Sequence, residues 1–281
     1  RNDLIALGEW TGVGFLKNPP QGFVMQDAAA MGVPRCAWWF SVNQADANGD
    51  GKPDYILGNA GHNLKFSASP EKPFKVFAAD FDQNGTHDIV LSKKYHDQYV
   101  PVRGRECSSQ QMPFIAQKFP SYSEFASASL EEVYGNSLQE SYEREIDSFT
   151  SYLLLNEGNG TFTPVPLPAE AQMTPVFDLV TTDLNQDGLE DLILAGNIYE
   201  TEVETPRLDA LSGTTLLSKG DGSYEVLPHS RSGLYMRGNV KSLQSFKEGD
   251  DFWILVGRND DTPLLYHQTE NNNTPLTVAY K

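Results

Sequence analysis

Three segments of this chain place oxygen-bearing side chains at the same intervals. Asp46, Asn48, Asp50 and Asp54 form the first set, Asp80, Asp82, Asn84 and Asp88 the second, and Asp183, Asn185, Asp187 and Asp191 the third. In each segment the oxygens fall at positions 1, 3, 5 and 9, with glycine at position 6 (Gly51, Gly85 and Gly188). A hard divalent cation such as calcium takes six to eight oxygen ligands around a tight turn. Positions 1, 3, 5 and 9 offer side-chain oxygens, and position 7 (Lys52, Thr86 and Leu189) can add a main-chain carbonyl. The competing reading is a metal-free Asp/Asn/Gly turn. Three copies in one context favour the metal, and three calcium ions are expected.

The loops are not EF-hands. An EF-hand has a bidentate Glu at position 12 and helices on both sides. Position 12 here is Leu57, Leu91 or Leu194, inside a short apolar run of strand length. An apolar or alternating stretch also precedes each loop, so the repeating unit reads strand, loop, strand.

A second element recurs. Leu153 to Phe162 and Leu216 to Tyr224 each read as an apolar strand, a glycine-rich turn and a second strand opening on an aromatic residue. No helix pattern follows the glycines, which argues against a phosphate loop. Weaker copies flank these. Asp3 to Gly8 matches Asp191 to Gly196, so the chain is expected to open at the last ligand of a repeat whose earlier half is missing. Asp251 to Gly257 matches again, but its loop, from Lys247 to Asp251, has lost the ligand spacing and is expected to hold no metal. The position-9 aspartates Asp3, Asp54, Asp88, Asp191 and Asp251 are separated by 51, 34, 103 and 60 residues. A strand-built period in this range suits propeller blades, which bury their faces only by stacking. The interval of 34 is too short for a full four-stranded unit.

The motif Asp-x-Asn/Asp-x-Asp-Gly-x-x-Asp followed by an apolar strand resembles FG-GAP/VCBS repeats. The longer stretches Leu57 to Phe66, Lys118 to Tyr122, and Ala195 to Tyr199 running on to Asp209 resemble the bacterial branch related to cartilage acidic protein and UnbV. That resemblance implies an all-β fold, a calcium-binding β-propeller of about five repeats within a larger one. It also implies a secreted or surface-attached bacterial protein. It names no activity.

Residues from about 101 to 149 break the β pattern. Ser121 and Glu124 have capping-box spacing. Tyr122, Phe125, Leu130, Val133, Tyr134, Leu138, Tyr142, Ile146 and Phe149 then recur at helical spacing, with Gly135-Asn136 as an interruption. A helical insertion within a single domain spanning 1–281 is expected, as a flank or as a lid.

The composition limits partners. The net charge is −17. A chain this acidic repels nucleic acid and anionic membrane surfaces. No apolar run is long enough to span a bilayer. Bound cations would offset part of the acidity. The two cysteines, Cys36 and Cys107, are either two thiols or one disulfide. The histidines show no close-spaced metal pair, and no nucleophile elbow or Cys/His constellation occurs. Possible ligand-binding residues are Asn59, His62, Asn63 and Lys65 after one strand, and Asn197, Tyr199, Glu202 and Arg207 after another. Turns and caps explain these equally well. The expected role is a non-catalytic extracellular module that binds or scaffolds a glycan or a surface protein. Two alternatives stand beside it: a polysaccharide lyase or hydrolase, which needs His62, Glu202 and Arg207 in one pocket, and a structural spacer.

Overall fold

A computed structural model describes residues 1–34, 36–249, 251–268 and 277–280. Asp250, in the degenerate loop before Asp251, lies outside them. Among the described residues the chain is mostly β, built of small antiparallel sheets, none of them closed. Among the described residues, no helix is long and apolar enough to cross a membrane.

The strands run in chain order as β1 (Leu4–Ala6), β2 (Glu9–Gly12), β3 (Gly14–Lys17), β4 (Val24–Met25), β5 (Cys36–Trp38), β6 (Ser41–Ala45), β7 (Asp54–Gly58), β8 (Phe74–Ala79), β9 (Asp88–Tyr95) and β10 (Gln98–Pro101). After four short helices come β11 (Tyr142–Ile146), β12 (Tyr152–Asn156), β13 (Phe162–Pro166), β14 (Asp178–Thr182), β15 (Asp191–Ala195), β16 (Thr214–Ser218) and β17 (Tyr224–Leu227). The last are β18 (Val240–Glu248), β19 (Asp251–Arg258), β20 (Leu264–Gln268) and β21 (Thr277–Tyr280).

These strands divide between two compact units, residues 1–65 with 149–281, and residues 66–148. Among the described residues, the first unit holds four main sheets. Sheet I has the order β1-β3-β4, sheet II β6-β7-β12-β13, sheet III β14-β15-β16-β17 and sheet IV β18-β19-β20-β21. A two-stranded ribbon, β2-β5, accompanies them. Sheets II, III and IV share one plan: each is a four-strand meander whose first strand is an edge.

The sequence dictates how these sheets bury themselves. Successive side chains of a strand point to opposite faces. On β15, Leu192 and Leu194 enter the apolar layer shared with sheet II, while Ile193 and Ala195 enter the layer shared with sheet IV. A strand that is apolar at every position therefore belongs between two sheets. Burying each such Leu or Ile contributes roughly 1.5–3 kcal/mol. Sheet II is treated the same way: Ile56 and Leu153 face sheet III, and Leu57 and Leu154 face the layer with Phe15 of sheet I.

First strands of neighbouring sheets are tied directly. The Ser41 hydroxyl on β6 donates to the Val176 carbonyl at 2.9 Å, and the Asn43 amide donates to Leu179 O on β14 at 3.0 Å. The Leu243 N–H on β18 donates to Asp178 on β14 at 2.8 Å. Gly58 stands at the first contact because a Cβ there would lie 2.1 Å from Ser41 Oγ and 2.4 Å from Val176 O.

The second unit contains one sheet, of order β10-β9-β8-β11. Helices α1 (Arg105–Gln111), α2 (Phe114–Lys118), α3 (Tyr122–Ser127) and α4 (Leu130–Tyr134) pack a core of Met112, Ile115, Phe125, Leu130 and Val133 with Phe77 and Val90 of the sheet. Ser121 and Glu124 form the expected capping box of α3, and Ser129 with Glu132 forms a second one that starts α4. The pattern is four short helices rather than a pair. Gly135, at φ +61°, ends the last of them before a 3₁₀ turn.

Two expectations change here. Residues 142–146 form a strand and not a helix. Glu143 and Glu145, two apart and so on one face, both reach Lys75 of β8, at 2.5 and 3.4 Å. Ile146 alone in that segment is buried, which a 3.6-residue period does not require. The interval of 34 also gains its reason. Loop Asp80–Asp88 is not the next repeat after Asp46–Asp54. It belongs to the unit that enters sheet II between β7 and β12.

Candidate metal-binding loops

The three loops have the same internal hydrogen bonds. The position-1 carboxylate accepts two main-chain N–H groups, from positions 5 and 6. Asp46 takes Asp50 at 3.0 Å and Gly51 at 2.9 Å. Asp80 takes Asn84 at 2.9 Å and Gly85 at 2.8 Å. Asp183 takes Asp187 at 3.1 Å and Gly188 at 2.9 Å. The position-3 oxygen also accepts from position 5, at 3.1 Å for Asn48, 3.2 Å for Asp82 and 3.1 Å for Asn185. The position-5 side chain accepts the N–H of Lys52, Thr86 or Leu189.

This winding needs left-handed backbone at two positions. Position 6 is glycine throughout, with φ +77°, +89° and +87°. Position 4 is Gly49, Gln83 or Gln186, with φ +71°, +60° and +60°. Only the first copy uses glycine there, so the other two carry side chains in a conformation that costs roughly 1–2 kcal/mol. The surrounding hydrogen bonds hold them in it.

Position 9 is different in kind. Asp54 and Asp191 are fully buried, and Asp88 is 4% exposed. One oxygen of each accepts the N–H of position 2: Ala47 at 3.0 Å, Phe81 at 3.1 Å and Leu184 at 2.9 Å. The other oxygen reaches outward. In sheets II and III it accepts the N–H that ends the third strand, Asn156 to Asp54 and Ser218 to Asp191, both at 2.8 Å. In the second unit the amide of Gln111 on α1 donates to Asp88 at 3.2 Å instead. Burial pushes the Asp54 and Asp191 carboxyls above the ordinary range, opposed by these N–H bonds.

Asp80, Asp82 and Asp88 bring one carboxylate oxygen each within 4.8 Å of one another, a group able to hold a metal ion. In the other two loops the third carboxylate sits at position 5 and not at position 3. Asp50 is drawn to the Lys52 ammonium at 2.6 Å, which holds its carboxyl below the usual range. Asp187 takes the Asn185 amide at 2.9 Å. Three loops of one backbone therefore differ in how their charges converge.

Sequence reasoning missed Glu190, at position 8 of the third loop. Its carboxylate accepts the N–H of Asp46, position 1 of the first loop, at 2.6 Å. Gly222 N–H, from the sheet III hairpin, donates to Ala47 O at 3.2 Å. Neither residue carries a local signal of this role, since both partners are distant in sequence.

The possible ligand-binding residues separate into two groups. Asn59 and Asn197 are buried and structural. Asn59 donates to Thr150 O at 3.0 Å, and Asn197 donates to Gly238 O at 2.7 Å and accepts from Thr174 at 2.8 Å. The others lie at the surface or are half-buried. His62 meets the Thr150 hydroxyl at 2.8 Å, Arg207 lies over the Tyr199 ring at 4.5 Å, and Asn63 is exposed. Lys65 pairs with Glu202 at 2.9 Å and so joins the two loops. No protein-family model matches the chain, and no curated protein matches it.

Proposed function

We propose that this chain is a calcium-stabilised module of the FG-GAP/VCBS propeller type, working outside the cytoplasm as a non-catalytic binding or scaffolding unit for a glycan or a surface protein. The observation that carries this reading is the threefold recurrence of one loop, with the same hydrogen bonds at the same positions. Metal-free turns of unrelated origin have no reason to share that detail. The donor set is carboxylate and amide oxygen, without sulfur or imidazole, which suits a hard cation of calcium's size and not zinc. Asp46, Asp80 and Asp183 with their position-3, -5 and -9 partners would hold it. The ion would supply charge neutralisation between strands rather than a reactive centre.

The propeller arrangement is supported by the way sheets I to IV pack in chain order, with β6, β14 and β18 adjacent.

The test is a thermal melt in millimolar calcium, in magnesium and in EDTA. Calcium should raise the midpoint well above the other two. Each site adds about 2.7 kcal/mol at a hundredfold excess over Kd. Equal midpoints in calcium and EDTA would remove the metal and with it the main support for this reading. A glycan array and a surface-protein panel, run in calcium, then identify the partner class.

A further inference from the structure

The sequence contains three Asn-Gly dipeptides, Asn48-Gly49, Asn84-Gly85 and Asn159-Gly160. At such a dipeptide a chain can break its own side-chain amide. The main-chain nitrogen of the glycine attacks Cγ of the asparagine and closes a succinimide ring. Glycine permits the attack because no Cβ shields its nitrogen. Three local conditions favour it. The glycine N–H must be held by no acceptor, the Asn NH2 must be free to leave, and donors must lie on Oδ1, where negative charge develops.

The fold sets these conditions differently at the three places. Asn84 Oδ1 has two donors, the N–H and the hydroxyl of Thr86. But the Gly85 N–H is bound to Asp80 at 2.8 Å, and the Asn84 NH2 donates to Asp82 at 3.1 Å. The attacking nitrogen and the leaving group are both held. Among the described residues, the N–H groups of Gly49 and Gly160 have no hydrogen-bond partner. Asn48 Oδ1, however, accepts a single N–H, from Asp50 at 3.1 Å, and Asn48 is half-buried. Asn159 Oδ1 accepts two donors of Thr161, the N–H at 2.9 Å and the hydroxyl at 2.6 Å. An Asn whose oxygen meets the N–H two residues on is folded over the residue between, which brings Cγ towards the Gly160 nitrogen. Asn159 and Gly160 are exposed at the tip of the β12–β13 hairpin. A Cβ at Gly160 would meet nothing within 4 Å, so the turn has room to rearrange.

We propose that Asn159 is a self-modifying deamidation site. Gly160 N gives up its proton and bonds to Cγ of Asn159, while the Thr161 hydroxyl and N–H stabilise the charge that builds on Oδ1. The Cγ–Nδ2 bond then breaks, and Nδ2 takes up the proton and departs as ammonia. Water opens the succinimide at either carbonyl, leaving aspartate or isoaspartate at 159. The sum is asparagine plus water going to an acid plus ammonia, with water as the only co-reactant. The hairpin tip lies against Lys52, the partner of Asp50, since a Cβ at Gly158 would lie 2.7 Å from Lys52 Cε. The new carboxylate is delivered one residue from that contact, beside the cation that holds the position-5 aspartate of the first loop. The inference stands on the hairpin and does not depend on the metal reading.

The experiment incubates the whole chain at mildly alkaline pH in EDTA, folded in one sample and unfolded in urea in another. Peptide mass spectrometry follows the unit mass gain at residues 48, 84 and 159, and released ammonia is measured alongside. In urea the three sites should convert at similar rates. In the folded chain Asn159 should convert first, with isoaspartate among its products, while Asn48 and Asn84 fall behind. Thr161→Val should slow conversion at 159 about fivefold, the worth of one hydrogen bond, with the melting midpoint unchanged. Thr161→Ser should restore the rate. Conversion at Asn48 or Asn84 ahead of Asn159 in the folded chain overturns the proposal, as does a wild-type rate at 159 in folded Thr161→Val. The same order and rates in urea as in the folded chain would also overturn it, because the hairpin would then contribute nothing.

Discussion

Asp54 Oδ1 accepts the main-chain N–H of Asn156 at 2.8 Å, across 102 residues of sequence. Its other oxygen accepts Ala47 N–H at 3.0 Å, only seven residues away. One buried carboxylate thus closes the loop between β6 and β7 and fastens the third strand that returns after the inserted unit. Asp191 does the same for Leu184 and Ser218 without any insertion. The tie is a property of the sheet plan, and the inserted unit enters at a point the tie spans.

Replacing that carboxylate by an amide should therefore cost stability even with no metal present. An Asn at position 54 or 191 can accept one N–H through its oxygen but turns an NH2 toward the other. A buried donor left unsatisfied costs roughly 1–3 kcal/mol. Asp54→Asn and Asp191→Asn should each lose that much in urea titrations in EDTA. Asp3→Asn, whose bond to Asn18 is exposed, should lose less than about 1 kcal/mol. Equal losses at all three positions would show that burial of the aspartate does not set the cost.

The same two aspartates give a pH dependence. Burial raises their folded pKa above the ordinary value of 3.8. The fold then favours the protonated form, so their contribution is fully present below the unfolded pKa and is lost as pH rises through the folded one. In EDTA, the wild type should gain stability relative to Asp191→Asn as pH falls from neutrality towards 4. A bound cation favours the ionised carboxylate, so calcium should flatten or reverse the trend. Urea midpoints of both proteins at each pH, with and without calcium, decide it. A gap in EDTA that narrows as pH falls would contradict the direction of the shift.

Two glycines separate crowding from backbone strain. Gly58→Ala would set a Cβ against Ser41 Oγ and Val176 O and break the bond between sheets II and III. Overpacking of this kind costs typically 1–3 kcal/mol, and the lost bond adds to it. Gly49→Ala meets nothing within 4 Å, and its cost comes only from φ +71°, about 1–2 kcal/mol. Gln83 and Gln186 already bear that conformation at the same loop position. Chemical denaturation should therefore rank Gly58→Ala as the more damaging, and the reverse order would mean that the Ser41 contact gives way.

The elements that sequence made legible were those with a local signature. Leu192 to Ala195 is apolar at every position and became a strand buried on both faces. Ser121 and Glu124 capped a helix where their spacing placed it. The topology was less legible, because nothing near Gly58 announces that β7 pairs with a strand beginning at Tyr152. Tyr142 and Ile146 fit a helical period by their spacing, but pairing with β8 and the shared Lys75 made them a strand. At the surface, Asn59 and Asn197 looked like ligand-binding residues. They are buried turn residues, since an Asn following a strand carries the same letters in either role.

Glu190 carries the last expectation, because it links two loops that sequence treats as independent. Its carboxylate holds the N–H of Asp46, the position-1 residue of the first loop, from position 8 of the third. Whatever orders the third loop should therefore help to order the first. Coupling between two binding sites is reciprocal and typically amounts to about 1–3 kcal/mol. Glu190→Ala removes the acceptor, whereas Glu190→Gln keeps an oxygen and loses only the charge. In EDTA, Glu190→Ala should speed amide exchange at Asp46, and Glu190→Gln should change it less. In calcium calorimetry, Asp183→Asn should weaken binding at the first loop as well as the third, and Glu190→Ala should abolish that cross-effect. Independent binding isotherms in the Asp183→Asn chain, with Asp46 exchange unchanged in both Glu190 variants, would show that the 2.6 Å contact transmits nothing.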